Sequence, residues 1–253
     1  MQEVLYGRQP VRETLRARRR QVSRVLVAEG IRTTEIVGEI LSLARQSGVT
    51  VQHVDRGSLD RLDGEVNHQG LAAEVSAYPY VDVSELLGVA VESNEPPFLL
   101  LLDHLQDPQN LGSLLRTAEA VGVHGVVLPH RRAAGVTPAA VRASAGAAEH
   151  VRVAQVTNLV RTMEALKAEN VWLAGLEATP AAQLYTVADL SGPLGLVVGS
   201  EGQGLARLVR ETCDFLIRLP MYGQVHSLNA GVAGAVALYE ALRQRTADGR
   251  GSR

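Results

Sequence analysis

The chain has 253 residues, 46% of them hydrophobic and 21% charged, with a formal net charge of −2. This composition is typical of an ordinary soluble protein with one large domain or two modest ones, and the charge mildly disfavours a nucleic-acid partner. The single cysteine, Cys213, excludes an intramolecular disulfide and a cysteine-based zinc site, and the longest apolar run, 98–102, is too short to span a bilayer.

The N-terminal residues show no signal peptide, so we expect a cytoplasmic protein that does not contact a membrane. They do carry a basic cluster: seven arginines lie within residues 8–24, opposed nearby only by Glu3 and Glu13. Such a cluster can bind phosphate groups, although a solvated helix face is the commoner explanation of a charge cluster alone. The candidate phosphate-binding residues are Arg8, Arg12, Arg19 and Arg20.

The first third of the chain alternates between helical and extended patterns. The predicted helices cover 8–17 and 34–46, and the predicted strands cover 22–28, 49–54 and 71–75. This alternation indicates a small α/β unit in which helices cover a sheet. The proline-flanked stretch that follows, 79–96, predicts a linker with a short helix at 83–89.

After the linker the alternation is stronger. We predict strands at 98–102, 125–128, 151–154, 171–174, 194–198 and 215–219, and helices at 111–121, 138–148, 159–168, 205–213 and 227–245. Strands that are almost continuously apolar indicate a parallel sheet buried on both faces. Ligands of such sheets bind beyond the carboxyl ends of the strands, and three of these ends carry unusual residues.

The first of these ends is the turn before the helix predicted at 111–121. Asn110 is well placed to cap that helix, and Arg116 leans back toward its free N–H groups, where a guanidinium could form an anion site. Alternatively, Asn110 is only a cap, and Arg116 only pairs with Glu119 or Glu149. The local pattern favours neither interpretation.

The second end is the glycine-rich loop at 199–204, whose spacing fits neither a dinucleotide-binding nor a Walker loop. Glu201 would repel a pyrophosphate, so the loop suits a ligand with little negative charge or with positive charge. At the third end Ser227 can cap the last helix, which places Asn229 in its first turn. Small residues along that helix would let a backbone or a ligand approach closely.

Other kinds of site are poorly supported. The scattered histidines show no metal-ligand spacing, so we expect no metal. The sequence Gly199-Ser-Glu-Gly lacks the G-x-S-x-G pattern of a serine nucleophile. A nicotinamide-dependent dehydrogenase would need G-x-G-x-x-G after the first strand of the sheet, where the chain has Leu102-Asp-His-Leu-Gln-Asp.

The order and spacing of the unusual residues resemble the three motifs of SpoU-type RNA 2′-O-methyltransferases, a TrmH-like branch of the SPOUT superfamily. The motifs are Asp107-Pro-x-Asn-x-Gly-x-x-x-Arg116, Gly199-x-Glu-Gly202, Leu219-Pro-Met221 and Ser227-Leu-Asn229, the last two forming one motif. Tyr6-Gly-Arg-x-Pro-Val-Arg-Glu-Thr-Leu15 and Val66-Asn-His-Gln-Gly-Leu-Ala-Ala-Glu-Val75 are similar to the small ribosomal-protein-L30e-like domain of bacterial 23S rRNA guanosine 2′-O-methyltransferases.

The resemblance implies an α/β protein of two domains. An L30e-like domain at 1–78 would bind the RNA substrate, with contacts from the N-terminal arginines. A linker at 79–96 would lead to a SPOUT methyltransferase domain at 97–246, with a parallel sheet and a deep trefoil knot. Residues 247–253 would form a flexible tail. The protein would be a homodimer whose active site is completed across the interface.

The resemblance also assigns roles to the unusual residues. S-adenosylmethionine would contact the backbone at Gly199, Leu219, Met221 and Leu228. Arg116 would activate the ribose hydroxyl, in a site shaped by Asn110, Glu201, Ser227 and Asn229. Because arginine stays protonated at any working pH, we expect Arg116 to bind the adjacent phosphate and stabilise the developing alkoxide rather than to act as the direct base.

One residue departs from the family pattern. His226 stands where a small residue is expected, so a contact to RNA or to the partner subunit and a bland surface position are both open. The implied function is methylation of a ribose 2′-hydroxyl in RNA, with a guanosine of 23S rRNA as the expected target. The same chemistry on tRNA or on another rRNA site is an alternative. A catalytically silent RNA-binding or assembly factor is a second one, although the intact set of polar motif residues speaks against it.

Overall fold

A computed structural model describes residues 2–63, 67–224 and 227–247. The internal contacts divide the chain into two compact units. The N-terminal unit comprises Met1–Pro79 and Val136–His150, and the C-terminal unit comprises Tyr80–Gly135 and Val151–Arg253. The segment 136–150 therefore packs with the first unit, although the sequence places it inside the predicted methyltransferase domain. The predicted linker belongs to the C-terminal unit from Tyr80 onward.

A mixed four-stranded sheet in the order β1–β4–β2–β3 forms the frame of the N-terminal unit. Strand β4 is antiparallel to β1 and β2, whereas β2 and β3 are parallel. The elements are β1 (Gln2–Tyr6), α1 (Arg8–Ala17), β2 (Val22–Ala28), α2 (Glu35–Gln46), β3 (Thr50–Val54), α3 (Arg56–Asp63) and β4 (Leu71–Ser76). Every predicted element of this region is confirmed, with ends that shift by at most one residue. The sequence missed β1, which has only five residues, and α3, which is short and mostly polar.

Alternate residues of β2 face opposite sides of this sheet, as the period of a strand requires. Leu26 and Ala28 pack against Leu59 of α3, while Val25 and Val27 are completely buried on the other side. The sheet is therefore covered on both faces. A strand that is buried on both faces has a continuous run of apolar residues in its sequence.

Buried polar contacts hold the segment 136–150 inside the N-terminal unit. Arg20 Nε lies 3.2 Å from Glu149 Oε2, and both side chains are almost completely buried. The guanidinium of Arg20 also lies 5.0 Å from the ring centroid of Tyr78, whose hydroxyl donates a hydrogen bond to the carbonyl of Ala148 at 3.0 Å. Burial raises the pKa of Tyr78 to about 12, and it also raises the pKa of Glu149 against the opposing effect of Arg20.

The C-terminal unit contains a parallel seven-stranded sheet in the order β7–β6–β5–β10–β8–β11–β9. Among the described residues from Val83 to Ala247, the α-helices and strands are α4 (Val83–Ser93), β5 (Phe98–Leu102), α5 (Pro108–Ala120), β6 (Gly125–Pro129), α6 (Pro138–Ala143), β7 (Val153–Val156), α7 (Leu159–Ala168), β8 (Trp172–Leu176), β9 (Gln183–Leu184), β10 (Leu194–Val198), α8 (Arg207–Thr212), β11 (Phe215–Arg218) and α9 (Ala230–Ala247). Helix α6 belongs to the N-terminal unit. All residues of β5, β6 and β10 are buried, which confirms the predicted sheet.

Several predicted ends are wrong for local reasons. The helix predicted at 138–148 ends at Ala143, because Ala145 and Gly146 adopt left-handed φ angles of 53° and 88°. Strand β7 begins at Val153, two residues later than predicted. The two-residue strand β9 was not predicted at all.

The caps of α5 and α9 also differ from the prediction. Helix α5 begins at Pro108, and the side chain of Asp107 accepts a hydrogen bond from the backbone N–H of Gln109 at 3.0 Å. Asn110 therefore lies inside the first turn and does not cap the helix. Helix α9 begins at Ala230, and the residue that bonds its first turn is Asn229, which accepts from the N–H of Val232 at 3.2 Å. The predicted capping role of Ser227 is therefore wrong.

Within the described ranges, no helix has the length and apolar character needed to cross a membrane. The same residues contain no group of three or more His, Cys, Asp or Glu side chains that could hold a metal ion. His226 and Val66 lie outside the described residues, and so does the predicted tail beyond Ala247.

Candidate active site

The sheet of the C-terminal unit brings two of the unusual strand ends together. β5 and β10 are neighbours, paired from Leu194 opposite Phe98 to Val198 opposite Leu102, so the loops that follow them leave the same edge. Helix α9 packs against α5, which follows the first loop, and this packing adds the start of α9 to the same region. Motif residues far apart in sequence therefore meet at one edge of the sheet.

A cluster of two amides and one carboxylate joins the three motifs. The Asn229 Nδ2 group donates to Asn110 Oδ1 at 2.8 Å and also to Glu201 Oε1. Asn110 is buried, while Glu201 lies at the surface of its loop. The amide of Asn229 thus fixes the position of both side chains.

The loop after β10 is closed by its own backbone. Ser200 and Gly204 exchange two backbone hydrogen bonds, of 3.2 and 3.0 Å. A Cβ atom on Gly199 would lie 2.3 Å from the backbone of Gly204, so only glycine fits there. Gly202 and Gly204 have φ angles of 77° and 66°, the left-handed region that favours glycine. The glycines of this motif are therefore explained by the tight turn.

A first cavity, of about 260 Å³, lies against this loop. The four residues predicted to contact the cofactor all line this cavity, namely Gly199, Leu219, Met221 and Leu228. Glu201 and Ser227 line it as well. Two further lining residues are Glu177, which directly follows β8, and Arg218, the last residue of β11. No sequence motif indicated either of them. Glu177 accepts a hydrogen bond from the N–H of Leu205 at 2.9 Å, so this carboxylate anchors the far end of the loop.

A second cavity, of about 500 Å³, adjoins the first. Ser200, Glu201 and Gln203 line both cavities, so the loop after β10 separates them. The wall of the second cavity also includes Asn110 and Arg132. A ligand in the first cavity and a ligand in the second would therefore meet near Glu201.

Arg116 lies outside both cavities. Its side chain is exposed, and among the described residues it forms no hydrogen bond or ion pair. The predicted partner Glu149 pairs with Arg20 instead, and no pairing with Glu119 is observed. The predicted approach of Arg116 to the amide–carboxylate cluster is not observed within one chain.

Close packing explains the small residues of α9. A Cβ atom on Gly234 would lie 2.5 Å from Leu114 Cδ2, and one on Gly231 would lie 3.2 Å from Ser113 Oγ. The glycines therefore let α5 approach, as the small-sided helix predicts. On the outer side, Val232, Val236 and Tyr239 are 50%, 38% and 53% exposed and recur at helical spacing.

The N-terminal arginine cluster is largely engaged within its own unit. Arg12 pairs with Glu13 at 2.7 Å, and Arg19 donates to the carbonyl of Glu149 at 3.3 Å. The side chain of Arg20 is completely buried in its ion pairs. This burial argues against the predicted RNA contact of Arg20, because no phosphate can reach the guanidinium without unfolding the unit.

Arg8 has a different environment. It lines a cavity of about 510 Å³ together with Arg32 and Arg56, and Glu29 is the one carboxylate among the described residues of its wall. The guanidinium of Arg8 is held by Thr34 Oγ1 at 3.3 Å. Arg32 and Arg56 are exposed and form no ion pair with the described residues. Sequence reasoning missed both because they are far from the cluster along the chain.

Comparisons with known proteins identify the family of two regions of the chain. The profile of the SpoU rRNA Methylase family matches residues 97–239, and a profile described as RNA 2′-O ribose methyltransferase substrate binding matches residues 4–81. A protein of Bacillus subtilis assigned to the TrmH family of tRNA/rRNA methyltransferases, YacO, is 46% identical over 244 residues, which are 96% of each chain.

Two solved structures are similar over nearly the whole chain. The SpoU methyltransferase AviRb from Streptomyces viridochromogenes, in complex with AdoMet, superposes with a TM-score of 0.79 at 25% identity over 97% of this chain and 91% of its own. An RNA 2′-O ribose methyltransferase superposes with a TM-score of 0.76 at 27% identity over 97% and 89%.

Proposed function

Because the chain belongs to the SpoU family of RNA methylases, we propose that it transfers a methyl group from S-adenosylmethionine to a ribose 2′-hydroxyl of RNA, with a guanosine of 23S rRNA as the target. The observation that carries the proposal is the position of Glu201. This residue lines both adjoining cavities and is held by Asn229, which also binds Asn110. The boundary between the two cavities is where a cofactor and a ribose would meet.

The first cavity fits S-adenosylmethionine. When bound, this cofactor supplies a methyl group already activated on a positively charged sulfonium. The walls offer two carboxylates, Glu177 and Glu201, and the guanidinium of Arg218, which complement a molecule that carries both charge signs. Leu219, Met221 and Leu228 supply apolar surface for an aromatic base. Gly199 keeps the loop narrow, because any side chain there would collide with Gly204.

The polar residues of the site position the acceptor ribose. Asn229 holds the Glu201 side chain at the cavity boundary, and the buried Asn110 fixes Asn229 in turn. Ser227 lies in the wall of the same cavity. Arg116 binds the phosphate beside the ribose and stabilises the negative charge that develops on the oxygen. Orientation of the hydroxyl toward the methyl group supplies much of the rate.

Arg116 reaches such a site only if a second copy of the chain provides it. The exposed stripe of Val232, Val236 and Tyr239 on α9 is a surface that a second copy would cover. Helix α5, which carries Arg116, packs directly against α9. We therefore propose a homodimer in which Arg116 of one subunit completes the site of its partner.

Subunit complementation tests this arrangement. Arg116→Ala and Asn229→Ala homodimers are each expected to lose most of their transfer activity. Mixed dimers should regain transfer, since one of their two sites keeps both residues. Sedimentation measurements must show that the variants are still dimers. No recovery in proven mixed dimers would contradict a shared site, and a monomeric wild-type protein would contradict the dimer itself.

The N-terminal unit serves as the RNA-binding part. We assign substrate binding to residues 1–78 and catalysis to residues 97–246, with the stretch 79–96 as the linker between them. The two family profiles, which match residues 4–81 and 97–239, support this assignment. Arg8 is the strongest of the predicted RNA contacts, because it shares a cavity with two exposed arginines.

The trefoil knot, the tail at 247–253 and the cytoplasmic location stay predictions. The insertion of β10 between β5 and the earlier strand β8 supports the knot.

The direct test is methyl transfer from labelled S-adenosylmethionine to fragments of 23S rRNA and to bulk tRNA, followed by digestion and identification of the modified nucleoside. We expect 2′-O-methylguanosine in 23S rRNA. Label in tRNA would support the proposed reaction but show that tRNA is the substrate. A tRNA is the second candidate substrate because the name of the Bacillus subtilis relative includes both tRNA and rRNA. RNA binding without transfer to any RNA would favour the silent assembly factor.

A further inference from the structure

The second cavity of the C-terminal unit carries an arginine, Arg132, that the proposed reaction does not use. We propose that Arg132 binds a backbone phosphate of the RNA strand whose ribose is methylated, and so holds the target nucleotide in this cavity. The inference rests on the proposed function, because it takes RNA as the substrate. It adds a substrate-binding residue that none of the sequence motifs contains.

The position of the cavity defines what enters it. It shares Ser200, Glu201 and Gln203 with the cavity for the cofactor, so an RNA strand that presents its ribose there must occupy the second cavity. Its volume of about 500 Å³ is of the size that small-molecule sites have. A nucleotide therefore fits, and its phosphate brings negative charge into the cavity.

The charges of the wall single out Arg132. Two carboxylates, Asp107 and Glu201, face this cavity and would repel a phosphate. Both are fixed by hydrogen bonds, Asp107 by the N–H of Gln109 and Glu201 by Asn229. Among the described residues of the wall, Arg132 is the one Lys or Arg side chain, and it is exposed with no ion pair to a described residue. A guanidinium free of carboxylate partners can form two parallel hydrogen bonds to a phosphate.

The loop that carries Arg132 is held in place on both sides. The N–H of His130 donates to the carbonyl of Val156 at 2.8 Å, and the N–H of Ala134 donates to the carbonyl of Leu105 at 2.7 Å. The second bond ties the loop to the loop after β5, which forms another wall of the cavity. Arg132 itself has a left-handed φ of 56°. This conformation is unfavourable in free energy for any residue other than glycine. Such strain is typical of functional sites.

The neighbouring arginine provides a matched control. Arg131 is exposed like Arg132 but does not line the cavity. Substitution of either residue by alanine changes the net charge of the protein and of the loop by the same amount. A difference between the two variants therefore reports the position of the guanidinium and not the overall charge.

The test uses the full-length protein and the RNA fragment that the wild type methylates. We expect Arg132→Ala to raise KM for RNA about tenfold, the order of one charge-assisted hydrogen bond, and to reduce the salt dependence of RNA binding by about one phosphate contact. Cofactor affinity should not change. Arg131→Ala should change KM less than twofold, and Arg132→Lys should restore part of the affinity.

One further variant and one further measurement keep the outcomes distinct. Arg132→Gly relieves the left-handed backbone, so an equal loss in the Gly and Ala variants would exclude strain as the cause. Equal KM values and equal salt dependence for Arg132→Ala and Arg131→Ala would overturn the inference, and so would a loss of cofactor binding in Arg132→Ala. If the wild type transferred no methyl group, the proposed function would fail, and direct RNA binding by the two variants would then decide the role of Arg132 separately.

Discussion

The two units use their charged residues in opposite ways. In the N-terminal unit the arginines that crowd the sequence are mostly structural: Arg12 and Arg19 are engaged within the unit, and Arg20 is buried against Glu149. In the C-terminal unit the polar residues come from three distant motifs, which the pairing of β5 with β10 and the packing of α9 against α5 bring together. A dense cluster in sequence is thus a weaker guide to a binding site than a few residues at the ends of neighbouring strands.

Of the substitutions that test this difference between the units, Arg20→Ala is expected to have the largest effect, on the free energy of unfolding. Removal of one partner from a buried ion pair leaves Glu149 as an uncompensated charge and should lower the free energy of unfolding by about 3–5 kcal/mol. The matched change is Arg12→Ala, whose partly exposed pair should contribute about 0–1 kcal/mol. Urea unfolding followed by circular dichroism measures both. Equal, small losses would mean that the cluster is not structural.

Arg116→Ala examines the opposite case, an arginine that forms no hydrogen bond or ion pair with a described residue. We expect transfer to fall by about 10²–10³-fold, because a charge that stabilises the transition state is lost, while cofactor affinity and unfolding free energy stay nearly constant. Arg161→Ala is the control, since Arg161 is exposed on α7 and lines neither cavity. Single-turnover assays provide the rates. Undiminished transfer by Arg116→Ala would remove this residue from the mechanism.

Gly234→Ala tests whether close helix packing supports the site of the C-terminal unit. The added methyl group would lie 2.5 Å from Leu114, and overpacking of this kind costs about 1–3 kcal/mol. Gly192→Ala introduces the same group where no described residue beyond the two chain neighbours has an atom within 4 Å, so the stability of this variant should hardly change. Thermal unfolding of the two variants gives the comparison. A stable Gly234→Ala protein would show that α5 and α9 adjust easily.

The double variant Arg32→Ala and Arg56→Ala sharpens the view of the N-terminal unit. We expect RNA affinity to fall about tenfold and the salt dependence to decrease by about two phosphate contacts, with kcat unchanged. Arg18→Ala with Arg45→Ala removes two other exposed arginines of the same unit that do not line the cavity. Fluorescence anisotropy at several salt concentrations measures the binding. The same loss in both double variants would assign the effect to net charge.

The sequence predicted the strongly apolar elements best. The ends of β5, β10 and α7 agree with the prediction, because long buried runs and clear helical spacing leave little freedom. Strands β1 and β9 were missed because they have only five and two residues, and α3 because most of its residues are polar. The caps were placed wrongly at Asn110 and Ser227, where neighbouring polar residues compete for the same N–H groups.

The site was predictable where a motif defined it and not elsewhere. The motif residues Asn110, Glu201 and Asn229 do meet, and the predicted cofactor contacts do line one cavity. Glu177 and Arg132 could not be predicted, because a single polar residue after a strand has no distinguishing pattern. The burial of Arg20 depends on Glu149, a residue that only the folded chain brings near.

The place of the segment 136–150 in the N-terminal unit has a consequence for synthesis. Of the two carboxylates that pair with Arg20, the buried one, Glu149, leaves the ribosome only after β5, α5 and β6 have emerged. The first unit therefore cannot complete its buried ion pair before part of the second has been made, although domains generally fold in the order of synthesis. Exchange of this unit between related proteins would likewise have to move two separate pieces of sequence together.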